Sequence, residues 1–184
     1  MVGRPVDHQR RAELLDAVVD YATEHEFADL SWRPIAAGLG VSTTTLVHRF
    51  GSKEEMLAAV LARLRERIHV DAVEGGDLAA AARAIWDQVS APQRAAEFRL
   101  FFAAYGHALQ AAAYAGFLEE VAVDWLDALT SAQGAEVATT VAVRTATLVV
   151  AILRGLMLDL LATGDQARVQ DAAEAFLVSL EHPT

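Results

Sequence analysis

No stretch of this chain sustains the apolar–polar alternation of a half-buried strand, and no Asn-Gly-type turn joins two apolar runs. Apolar residues instead recur every three or four positions through most of its length, which is the spacing of one helix face. Alanine (38 of 184 residues) and leucine (22) fill many of those positions, and both are strong helix formers. Prolines stand only at 5, 34, 92 and 183, at helix starts or outside the fold. The expectation is an all-α protein of about nine helices.

Breakers and caps set the boundaries. A first helix is expected over about 8–25, with Leu14, Leu15, Val18 and Val19 on one face and Glu13, Asp16 and Asp20 on the other. Ser31 is placed to cap a short second helix that Gly38 and Gly40 end. Ser42 caps a third, 43–50, closed by Gly51. Ser52 followed three residues later by Glu55 has capping-box spacing and opens a longer helix to about 69. After a break at Glu74-Gly75-Gly76-Asp77, helices follow at about 78–90, 93–110, 114–132, 136–163 and 166–181. The most apolar stretch, Thr145 to Ala162, contains Arg154 and Asp159, so no membrane span or membrane partner is expected and the chain reads as cytoplasmic. With no cysteine, thiolate metal sites and cysteine nucleophiles are excluded.

A net charge of -10 argues at first against nucleic acid. Its distribution says otherwise. Residues 1–69 carry 9 basic and 10 acidic groups, whereas 70–184 carry 6 and 15. From Leu30 to Lys53 there is no Asp or Glu, and Arg33, Arg49 and Lys53 give +3. Within this window SWRPIAAGLGVSTTTLVHRF reads as helix, glycine turn, helix. Ile35, Ala36, Leu39, Val41 and Leu46 would pack inward, leaving Thr43, Thr44, Thr45, His48 and Arg49 outside. Compact hydrogen-bonding groups without a carboxylate suit the edges of bases in a major groove. Ser42, Thr43 and Lys53 would meet phosphates, and Arg4 in Gly3-Arg4-Pro5 could reach a minor groove or only phosphates.

HEFADL followed by SWRPIAAGLGVSTTTLVHRFGSKEEML resembles the DNA-binding head of the TetR family of bacterial transcriptional regulators. The likeness is close over about 10–60, and LRGLMLDLLATGD with the last helix resembles the family's penultimate and final helices. The resemblance implies a three-helix head at 1–52 with a helix-turn-helix, whose recognition helix is about 43–50. It also implies a helical body at 53–184 for ligand binding and dimerisation, and repression of transcription. Val47 and Arg49 depart from the family's usual Tyr and His, Thr44 stands where Gly, Pro or Ala is frequent, and Glu26 replaces a common Gly, so the operator sequence does not carry over.

In the body, Phe98, Phe101, Phe102 and Tyr105 share a helix face, and Trp86, Tyr114, Phe117 and Trp125 lie on neighbouring helices. They read as plain core or as an aromatic cavity for a small, largely apolar molecule, with Tyr105, His107, Arg144 and Thr147 orienting it. Arg144 is equally suited to an interface. The last two helices are apolar on more than one face, through Ile152, Leu153, Leu156, Leu160, Phe176 and Leu180. Ala151 and Gly155 permit close approach, and a four-helix contact between two copies fits the pattern, with burial inside one subunit as the alternative. No catalytic constellation is present, no cofactor is implied, and His8, His25, His48 and His69 lack metal-ligand spacing. A helical protein-binding adaptor would have no reason to exclude carboxylates from 31–53.

Overall fold

The computed structural model describes residues 4–25, 30–68, 77–110 and 115–181. Gly3, Glu26, Asp29, His69, the expected break at 74–76 and Tyr114 lie outside the described residues. Those described form nine α-helices and no strand: α1 (Arg4–Glu24), α2 (Trp32–Leu39), α3 (Thr43–Phe50), α4 (Lys53–Ile68), α5 (Leu78–Val89), α6 (Ala95–Ala108), α7 (Ala115–Ser131), α8 (Thr139–Thr163) and α9 (Gln166–Glu181). A 3-10 turn at Pro92–Arg94 precedes α6, so the predicted start at 93 tightens into a separate element. Helix α1 begins at Arg4 instead of 8, because Pro5 is harmless in a first turn.

The chain divides into two compact units, Met1–Ile68 with Ala96–Leu118, and His69–Ala95 with Glu119–Thr184. In the first, α1 packs on α4 and α2, α2 on α3, and α3 on α4. Val18, Val19, Leu30, Ile35, Leu46, Phe50, Met56, Val60, Leu61 and Leu64 are buried there. The periods of α1 and α4 dictate this: α4 buries Met56, Leu57, Val60, Leu61, Leu64 and Ile68, one continuous stripe. Gly38 does not end α2 but lies inside it. A Cβ on it would collide with the Tyr21 ring, so this glycine serves the close approach of α1 and α2.

In the second unit α5 packs on α9 and α8, and α8 packs on α9. Buried Trp86 donates its indole N–H to Gln170 Oε1 at 3.0 Å, which satisfies the one polar atom of that side chain. Arg83 grips Glu174 through two bonds of 2.7 and 2.9 Å. Gln133 donates to the carbonyls of Leu129 and Ala142, at 3.1 and 2.8 Å, and so ties the α7–α8 turn. Helix α8 buries Ala142, Ala146, Val149, Val150, Leu153 and Met157 on one side. Its opposite side exposes Val141 (39%), Leu148 (59%), Ile152 (39%) and Leu158 (51%). Despite Arg154 and Asp159, this 25-residue helix is long and apolar enough, by length and composition, to cross a membrane. Both charges have partners within the unit. Arg154 Nη2 donates to Val121 O at 2.8 Å with its guanidinium over the Trp125 ring, and Asp159 pairs with Arg168 at 2.8 Å.

Candidate nucleic-acid interface

The turn between α2 and α3 is built by Gly40. Its φ of 65° is left-handed, a conformation that costs a glycine little. Gly40 N–H bonds the Ala37 carbonyl and Val41 N–H the Ala36 carbonyl, at 3.4 and 3.0 Å, the pair of bonds that closes a Schellman motif. Ser31 occupies the N-cap position of α2, but its side chain makes no cap bond, against expectation. Ser42 does cap α3: its Oγ accepts from Thr45 N–H at 3.0 Å and lies 2.8 Å from Thr45 Oγ1.

Leu46 and Phe50, one turn apart, anchor α3 in the core. Arg11 of α1 donates Nε–H to the Arg49 carbonyl at 3.1 Å, and its guanidinium sits over the Phe50 ring at 5.6 Å. That contact satisfies a carbonyl at the C-terminal end of the helix, where positive charge is favoured. Gly51 N–H then bonds Val47 O at 2.8 Å. The predicted capping box is present: Ser52 N–H donates to Glu55 Oε2 at 2.7 Å, and Glu55 N–H to Ser52 Oγ at 3.1 Å. Hydrogen bonding to the carboxyl from Ser52, first from its backbone N–H and then from its side chain, holds Glu55 below its ordinary value. The Glu55 carboxylate is therefore occupied by the backbone.

What α3 presents to solvent is Thr44, Thr45, Val47 and His48, with Thr43 and Arg49 half-buried. Arg33 on α2 and Lys53 at the start of α4 are also exposed. Ser42 and Thr45 spend hydroxyl capacity on the cap, which leaves Thr44 and His48 as the outward polar pair on adjacent turns. Arg4, expected on an arm, opens the first turn of α1. Two residues with a part in this arrangement escaped the sequence reading. Arg11 gives no local sign of its role, since its partner is 38 residues away. Val47 does give one, because it lies off the Leu46–Phe50 stripe.

The described residues expected around a ligand are divided between the two units. Phe98, buried, and half-buried Phe102, Tyr105 and Phe117 belong to the first unit, gathered around Phe101. Phe101 lies 5.4 to 6.4 Å from each of these four rings, centroid to centroid. His107 is exposed on the same helix as Phe98. Trp86 and Trp125 are buried in the second unit, while Arg144 and Thr147 are exposed on α8. Thr147 Oγ1 is bonded to the Val143 carbonyl at 2.7 Å. A surface cavity of about 460 Å³ lies within the second unit, lined by Asp77, Leu78, Gln133, Val137, Thr145 and Leu180 among others. Of the residues expected at a dimer contact, Ile152 is exposed, Leu156, Leu160, Phe176 and Leu180 are half-buried, and Leu153 is fully buried in its own unit.

Residues 14–60 match the family described as bacterial regulatory proteins, tetR family. The fold is similar to that of a transcriptional regulator from Rhodococcus sp. Rha1, at 24% identity over 93% of this chain and 94% of that one, with a TM-score of 0.78. It is also similar to the multidrug binding protein EbrR complexed with imidazole, at 23% identity over 98% and 97% of the two chains and a TM-score of 0.70. BioQ with its double-stranded DNA operator matches at 20% identity over 90% and 98%, with a TM-score of 0.54. No curated protein matches closely enough to name a relative. Residues 14–60 are thus similar to the tetR family of bacterial regulatory proteins, and the chain as a whole shares the fold of these solved proteins.

Proposed function

We propose that the chain is a homodimeric, cytoplasmic repressor that leaves a palindromic operator when a small, largely apolar molecule binds. The observation that carries the DNA half is the outward face of α3. It holds hydrogen-bonding side chains inside a window with no acid from Leu30 to Lys53. On this reading residues 1–52 bind DNA and 53–184 bind ligand and partner. Two copies of α3 enter successive major grooves, with half-site centres roughly 34–36 Å apart. Thr44 and His48 read base edges, while Thr43, Arg33, Arg49 and Lys53 position the head on phosphates.

The exposed apolar face of α8 supports the dimer. Val141, Leu148, Ile152 and Leu158 share it with exposed Ala151 and Gly155, and the small residues let a second helix approach. Arg144 stands on that face too, which favours an interface over a pocket for it. Ligand response is supported by the aromatic cluster at Phe101 and by the fold shared with a protein seen bound to imidazole. A ligand shifts the heads only as far as its affinities for the two conformations differ. No catalytic step, cofactor or membrane enters this account.

Selection of genomic duplex fragments with the purified protein tests it. An inverted repeat should be enriched, and a candidate apolar effector should abolish the enrichment. Failure to enrich any motif would favour the protein-binding adaptor instead.

A further inference from the structure

Among the described residues of the head, Val47 is the one large apolar side chain that is exposed, at 46%. Isolated surface apolar residues are ordinary, so exposure alone decides nothing. Its position does. Val47 lies one turn beyond Thr43 and Thr44 on α3 and precedes His48, on the flank of the helix between buried Phe50 and exposed Thr44. Its side chain has no donor or acceptor, so it cannot bond a phosphate or a polar base edge. In a major groove the apolar group on offer is the C5-methyl of thymine.

We propose that Val47 is a specificity determinant that packs against one thymine methyl in each operator half-site. The inference rests on α3 being the DNA-reading helix. A branched alkyl group beside Thr44 and His48 makes a mixed surface: two hydrogen-bonding groups to choose among base edges and one apolar knob to demand a methyl. Packing Val47 on the methyl buries both apolar groups, whereas a cytosine at that place has no methyl and leaves Val47 against a polar edge. The contact also explains why an apolar residue is tolerated on the most polar face of the head: it is covered only when DNA is bound.

The test uses the duplex enriched by the full-length protein. Each thymine is replaced singly by deoxyuridine, which removes the methyl and keeps every base-pair hydrogen bond, and affinity is measured by fluorescence anisotropy. One thymine position per half-site should lose affinity about fourfold on demethylation, the effect of one methyl withdrawn from apolar contact. Val47→Ala should bind the thymine duplex more weakly and lose most of its sensitivity at that position, with an unchanged helical circular dichroism spectrum. If the wild type is indifferent to deoxyuridine at every thymine, or Val47→Ala stays fully sensitive, the inference is overturned while the DNA-reading assignment stands. Absence of binding to any duplex would overturn both.

Discussion

Ile152→Asp is expected to turn the proposed dimer into a folded monomer and to lower operator affinity by about two to four orders of magnitude. Ile152 is 39% exposed in the single chain, on the side of α8 opposite Ala146, Val150, Leu153 and Met157. A carboxylate there stays in water in the monomer but would be taken out of water, without a partner, between two copies of α8. Two-fold symmetry places the substitution in the contact twice. Each monomer would then hold one half-site without the effective concentration that tethering supplies, worth roughly 10²–10⁴ in affinity. The neighbouring position shows why the choice matters: Leu153 is fully buried, and a charge there would unfold the chain instead. Sedimentation equilibrium with circular dichroism separates the cases, and a persistent dimer would move the interface off this face.

The second large effect concerns α1 and α4. The Asp16 carboxylate accepts from Arg63 Nε and Nη2 at 2.8 and 3.0 Å, and from Arg67 Nη2 at 2.9 Å. Arg67 Nη1 also reaches Asp20 at 2.6 Å, so two arginines one turn apart grip two acids one turn apart. This grip fixes α4 to α1 across its second half. Asp16→Ala should cost about 1–3 kcal/mol. The lower end is favoured because Asp16 and Arg63 are 34% and 37% exposed and Arg63 keeps Glu66 as a partner. Bonds from Arg63 and then Arg67 hold the Asp16 carboxyl at about 2, against an ordinary 3.8. Because the folded value is depressed, the contribution is full above 3.8 and is lost as the pH falls towards about 2. Thermal unfolding of wild type and variant should differ by a constant amount above pH 4 and converge near pH 2. A difference that does not depend on pH would remove Asp16 from the grip.

The head was the most legible part of the chain because its information is local. Gly40, Ser42 and the Ser52–Glu55 box each act on backbone groups within a few residues, and the structure has all three bonded as their spacing implies. Ser31 shows the limit of the same reasoning: it has the residue type and position of a cap but makes no side-chain bond. Gly38 looked like a terminator because its partner, the Tyr21 ring, belongs to another helix. The body was less legible for that reason throughout. The periodicity of α8 showed two apolar faces without saying which one looks inward, and the residue that separates them is the choice between Ile152 and Leu153. For Trp86 core and cavity stay open in the sequence because its hydrogen-bond partner, Gln170, lies 84 positions away. Arg154 and Asp159 interrupt the most apolar stretch for the same reason: their partners Val121, Trp125 and Arg168 are all supplied by tertiary packing or the next helix.

If the outward face of α3 reads base sequence, the loss of exposed His48 should show it. Random duplexes should be selected in parallel by the wild type and by His48→Ala. The account predicts the same two-fold spacing from both proteins, with the variant's motif relaxed at one position per half-site, where discrimination falls by about 1–3 kcal/mol. Identical motifs from the two proteins would contradict it.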